Sequence, residues 1–180
     1  MASKGILISV VVLRFLALLL LAGSIVVMAI NSFTSSDGVK TTFKDVIAYR
    51  YVIATGITGF AYTLVQIPFA IYHASKEKRL IRTNVYLSLI STGDKIIAFL
   101  LATGVGAGFA VTFELKRILD AFLDGFDVPG IGDEKSKPEK FLDRGNIATG
   151  LLFLGFLCMV VLSVLSSINR MPPTGRGFFG

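Results

Sequence analysis

Four long apolar runs divide the chain, separated by short polar stretches. The runs are Ile6 to Ile30, Val52 to Tyr72, Val85 to Phe113 and Ile147 to Ile168. At about 1.5 Å per helical residue, each can cross a ~30 Å hydrocarbon core. The pattern predicts an all-α membrane protein: an antiparallel four-helix transmembrane bundle with helices over about residues 5–30, 46–72, 84–113 and 145–168. One polytopic domain, 1–168, is expected. The Pro- and Gly-rich tail 169–180, NRMPPTGRGFFG, predicts a disordered cytoplasmic segment.

The polar stretches refine this picture. The first outer loop, NSFTSSDGVKTTFKD, is rich in residues that favour turns over helix. Tyr49, Arg50 and Tyr51 follow it, where aromatic and cationic anchors belong at a membrane interface. Pro68 is expected to bend the end of helix two. Beyond Phe113, Leu115, Ile118, Leu119, Phe122, Leu123 and Phe126 recur every three or four residues, with charges between them. That amphipathic pattern either extends helix three to about 126 or lies along the outer membrane surface. VPGIG is expected to break it and GDEKSKPEK to form a solvated loop.

Composition excludes a soluble domain: 53% of residues are hydrophobic and mean hydropathy is +0.73. Net charge is +6, and its placement is more informative than its sum. With both termini cytoplasmic, the inner segments hold Lys4, Lys76, Lys78, Arg79, Arg82, Arg170 and Arg176 against one acid, Glu77. The outer loops, Asn31 to Asp45 and Glu114 to Arg144, hold eight bases against ten acids. This split satisfies the positive-inside rule, so the positive balance sets topology and nucleic acid is not an expected partner. Membrane lipid is the expected one, and the basic stretch HASKEKRLIR suits anionic headgroups as well as orientation. The first run is longer than the ~7–15 residues of a signal-peptide core and contains Arg14, so it predicts an uncleaved anchor.

Two charges lie inside apolar runs, Arg14 in the first and Asp94 in the third. A lone charge at bilayer depth costs at least ~3 kcal/mol on insertion scales. Both helices run outward. Arg14 lies about 12 Å past Ile6 and Asp94 about 13–14 Å past Val85. Gln66, on the returning second helix, lies about 9 Å from Tyr72. The three are expected to meet, with the guanidinium fork on the carboxylate and the amide satisfying what remains. Three roles suit such a cluster: a structural ion pair, a transport or proton-relay site, or a pair between subunits. Lys95 points about 100° away from Asp94 and is expected to snorkel toward the inner surface.

Small residues mark close helix packing. Gly104 and Gly108 form a G-x-x-x-G pair in helix three, and Gly56 and Gly59 lie in helix two with Thr55 and Thr63 nearby. These positions serve packing within the bundle or between subunits. Catalytic and cofactor motifs are missing. The chain has one His, His73, and one Cys, Cys158, with no C-x-x-C, H-E-x-x-H, G-x-S-x-G or P-loop pattern. No enzyme activity, metal or cofactor is expected.

The segments LRFLALLLLAGSIVVMA with Arg14, AYRYVIATGITGFAYTLVQ, and SLISTGDKIIAFLLATG with Asp94 resemble the Casparian strip membrane domain-like family, which is related to the MARVEL four-pass proteins. The resemblance runs from about Ser3 to Arg170. It implies a MARVEL-like fold, a plasma-membrane location with both termini cytoplasmic, and homo- and hetero-oligomers with related four-pass chains. Arg14 and Asp94 match the family's helix-one Arg and helix-three Asp. The first outer loop lacks the stretch carried by barrier-forming members, so the resemblance is to the looser "like" group. The expected function is a scaffold assembling laterally into membrane platforms that organise other proteins or the adjacent wall. The alternative is a small-solute or ion transporter using Arg14 and Asp94.

Overall fold

The computed structural model describes residues 4–34, 38, 40–75, 83–124 and 132–168. Helix α1 covers Lys4–Ala29, α2 Ile47–Ser75, α3 Thr83–Asp124 and α4 Gly132–Ile168. Each carries a stretch long and apolar enough to cross a membrane: Ile8–Ala29, Ile47–Ile71, Ser91–Ala121 and Lys137–Ser167. In the bundle α1 packs on α2 and α4, and α3 packs on the same two neighbours. That leaves α1 and α3 facing each other across a diagonal.

Paired hydrogen bonds set the register and show the antiparallel order. Ser24 donates to the Ala148 carbonyl and Asn31 to the Phe141 carbonyl, so α1 and α4 run oppositely. Tyr49 pairs with Thr112 and Tyr62 with Asp94, so α2 opposes α3. Ser91 meets Ser167, and Lys116 meets Asp143, so α3 opposes α4. Inside, Ala17, Leu21, Leu101, Leu152 and Met159 are buried. Outside, Leu19 and Phe99 are 68% and 74% exposed, as suits side chains whose surroundings are acyl chains.

Between α1 and α2 the chain forms a short hairpin where only turns are expected. Strand β1, Ser32–Thr34, pairs antiparallel with β2, Lys40–Thr42, in the register Phe33↔Thr41. Gly38 takes the positive φ of 77° that the connection uses. A 3-10 turn over Phe43–Asp45 then leads into α2. Its cap is reciprocal: Thr42 N donates to Asp45 Oδ2 at 2.7 Å, and Lys44 N donates to Thr42 Oγ1 at 3.3 Å.

The amphipathic stretch beyond Phe113 continues α3 without a break to Asp124, with Leu115 and Leu119 packed on the core. Helix α4 begins at Gly132, well before the expected 145, and runs through Pro138. The loop expected over GDEKSKPEK is helical because α3 extends alongside it. Phe141 and Leu142 are each 4% exposed, and the Phe141 ring packs at a tilt against Phe33 and Tyr49, with centroids 5.3 Å and 5.7 Å away. Tertiary burial outweighs the local loop signal and the one hydrogen bond lost to Pro138. Tyr49 is likewise no interfacial anchor: it is fully buried, while Arg50 and Tyr51 are exposed. Helix α2 continues through Pro68 to Ser75. Of the expected basic inner loop over 73–82, the first three residues belong to α2, and of the expected breaker VPGIG, Gly132 begins α4; the rest of both, and the disordered tail 169–180, lie outside the described residues.

Candidate functional site

Helix α1 presents Arg14 toward the bundle axis because its neighbours on that face are small or apolar: Ala17, one turn outward, is fully buried. Helix α3 presents Asp94 from the opposite corner. The two are 3% and 0% exposed, and their side chains cross the diagonal that the backbones leave open. Arg14 Nη2 donates to Asp94 Oδ2 at 3.2 Å and to Oδ1 at 3.4 Å. A single guanidinium nitrogen thus straddles both carboxylate oxygens, rather than two nitrogens forming the expected fork.

The third partner is Tyr62 of α2. Its hydroxyl donates to Asp94 Oδ1 at 2.9 Å. The approach depends on Gly93: a Cβ built there would lie 2.5 Å from the Tyr62 hydroxyl. The expected pair is present, and Tyr62 is the α2 donor to its carboxylate. Gln66, one turn farther along α2, is half-buried and neighbours the Tyr62 hydroxyl instead of satisfying Arg14. Arg14 Nε and Nη1 have no hydrogen-bond partner among the described residues. Tyr62, not Gln66, is the α2 residue level with the Asp94 carboxylate.

The arrangement ties three helices to one carboxylate. A buried pair gains little over an apolar substitute, because desolvation offsets much of the attraction. Removing one partner leaves a bare charge and costs about 3–5 kcal/mol. Chemically, the cluster can hold α1, α2 and α3 in one register.

The packing glycines lie in a second layer, on the side of the ion pair toward the β1–β2 hairpin. A Cβ on Gly104 would collide with Thr55 Oγ1, and one on Gly108 would lie 2.5 Å from Thr149 Oγ1 and 2.9 Å from Val52. Gly59 faces Leu101 at 3.0 Å and Gly56 faces Ile25 at 3.2 Å. All four sit at helix–helix contacts within the subunit. Gly145, which sequence patterning does not single out, has the Tyr49 hydroxyl against it.

Four membrane-crossing helices around a buried ion pair define an integral multi-pass membrane protein. The chain belongs to the family of the Casparian strip membrane protein domain, whose model matches residues 3–122 and so includes Arg14, Tyr62 and Asp94. It is similar to CASP-like protein 4D1 of Ricinus communis, with 37% identity over 159 residues, 87% of each chain. CASP-like protein 4D1 of Sorghum bicolor is 37% identical over 181 residues, 92% of this chain and 93% of the relative. CASP-like protein 4D2 of Arabidopsis thaliana is 35% identical over 158 residues, 86% and 85% of the two. No solved structure matches the chain.

Proposed function

We propose that this protein is a non-enzymatic scaffold of the plasma membrane, with both termini cytoplasmic. It associates laterally with itself and with related four-pass chains, forming platforms that organise other proteins or the adjacent cell wall. The observation that carries this reading is the inward closure of the charges. Arg14 and Asp94 are buried and spend their interactions on each other and on Tyr62. A cluster used in this way stabilises the bundle, leaving the outer face to make contacts in the membrane plane. That face includes Gly106 of α3, which has nothing within 4 Å of its Cβ position. Thr103 and Ala110 are exposed beside it, between Phe99 and Phe113. Small residues on a lipid-facing helix suit close approach by another helix.

Crosslinking with mass spectrometry in native membrane tests the reading. Links between copies are expected, weakened by Gly106→Leu. Monomers at native density would overturn it. Protease protection of tags at either end tests the orientation.

One observation favours the alternative, a carrier of small solutes or ions. Arg14 keeps Nε and Nη1 without a partner among the described residues, which is spare donor capacity at membrane depth. Solute flux in reconstituted vesicles that Asp94→Asn abolishes, with assembly intact, would establish that reading instead.

A further inference from the structure

Lys95 follows Asp94 directly, and the ~100° turn between successive helical residues carries it off the bundle axis. Its side chain is exposed on the outside of α3, within the stretch Ser91–Ala121 that crosses the membrane. It makes no ion pair or hydrogen bond with any described residue. A lipid-facing charge needs a polar group within its reach.

The levels of the helices show where that group lies. The Ser91 hydroxyl meets Ser167, so Ser167, two residues before Asn169 in sequence, stands at the height of Ser91 on α3. Beyond it the sequence turns polar with Asn169 and Arg170. Lys95 stands four residues, about 6 Å, deeper than Ser91. Helical side chains lean toward the N-terminus of their helix, which for α3 is the direction of that same surface. The lysine stem therefore runs back over Thr92 toward the headgroups of the leaflet in which α3 begins.

Thr92 supplies an independent signal. Thr58, Thr63, Thr103, Thr112 and Thr149 each return the hydroxyl to a carbonyl three or four residues back, as does Thr55. Thr92 alone among the threonines with described helical side chains does not, and it is exposed three residues before Lys95. An ammonium and an unused hydroxyl thus stand one turn apart on one lipid-facing surface.

We propose that Lys95 and Thr92 form a binding site for the phosphate of an anionic phospholipid in the leaflet where α3 begins. A phosphate offers several acceptor oxygens to two donors and the negative charge that the ammonium lacks. A second copy of the chain is a poorer occupant. Its exposed acids among the described residues, such as Asp45, Glu114 and Asp143, lie at the opposite end of the bundle, and Asp94 is buried.

The test uses the full chain in nanodiscs of phosphatidylcholine with a fixed share of phosphatidylserine, read by native mass spectrometry. Wild type is expected to retain phosphatidylserine selectively. Lys95→Gln is expected to lower that preference roughly fivefold, the contribution of one basic side chain near the surface. Lys95→Arg is expected to keep it, and Thr92→Val to lower it in part. Equal retention by wild type and Lys95→Gln overturns the site. So does a change in subunit number without a change in bound lipid, which would assign Lys95 to a contact between copies. Thr92→Val gives the same reading if Lys95→Gln does not fold.

Discussion

The Tyr62 hydroxyl reaches Asp94 Oδ1 at 2.9 Å through the space left by Gly93. This contact makes the carboxylate the meeting point of three helices, since Arg14 of α1 donates to it as well. The two donors differ in kind. Arg14 supplies the neutralising charge, while Tyr62 supplies a directional bond.

Their removal should therefore differ in cost. Asp94→Asn or Arg14→Gln leaves a buried charge unmatched and should destabilise the bundle by about 3–5 kcal/mol. Tyr62→Phe removes only a hydrogen bond to a charged acceptor and should cost about 1.5–3 kcal/mol. Thermal or denaturant unfolding in one detergent ranks the three. Tyr62→Phe proving as costly as Asp94→Asn would show that the hydroxyl, not the charge, holds the site.

Gly93 and Gly106 lie on the same helix but face different surroundings. Gly93→Ala forces a Cβ against the Tyr62 ring, and overpacking of this kind costs about 1–3 kcal/mol. The cost should shrink in the Tyr62→Phe background, because the nearest atom is the hydroxyl. Gly106→Ala meets nothing within 4 Å. It should raise helix stability by up to about 1 kcal/mol. A double-mutant cycle reads the first effect and a single unfolding curve the second.

Phe141 holds the early turns of α4 in place by packing on Phe33 and Tyr49, while its carbonyl accepts from Asn31 at 2.8 Å. Phe141→Ala should cost about 3–5 kcal/mol at this end of the molecule. Amide hydrogen exchange should accelerate over residues 137–144 and leave the turns around Leu152 and Met159 protected. Uniform acceleration along α4 would mean that the extension has no independent anchor.

Asp45 gives the hairpin end of the molecule a pH dependence. Its carboxyl is held below the usual carboxylate range, first by the backbone bond from Thr42 and then by the Thr42 hydroxyl. A depressed folded-state pKa adds stability that is fully present above the ordinary carboxylate range and lost as pH falls through the depressed value. Exchange at the Thr42 and Lys44 amides should therefore rise, once the intrinsic pH effect is removed, only under acid conditions. Asp45→Asn should abolish that step. A step that persists in the variant would point to another carboxylate.

The membrane spans were legible because apolar runs near 20 residues have few other uses. The α4 start was not legible. GDEKSKPEK carries loop chemistry, and only the neighbouring α3 extension, with Phe33 and Tyr49 beside Phe141, makes helix the better state. Depth arithmetic brought Arg14, Asp94 and Gln66 near one level but passed over Tyr62, the α2 residue that bonds the carboxylate. Tyr62 is ten residues before Tyr72, about 15 Å, closer to the level of Asp94 than Gln66 at about 9 Å. The same count would have found it, had a tyrosine been read as a hydrogen-bond donor instead of an apolar filler. Gly93 left no signal of its own, because one glycine beside a charge has no pattern.

The most direct test of the account is a double-mutant cycle on Arg14 and Asp94, read as unfolding free energy in nanodiscs. Each single variant, Arg14→Leu and Asp94→Leu, should lose about 3–5 kcal/mol, and the doubly apolar chain should recover most of the loss. Losses that simply add would contradict it, since the two side chains would then be acting apart.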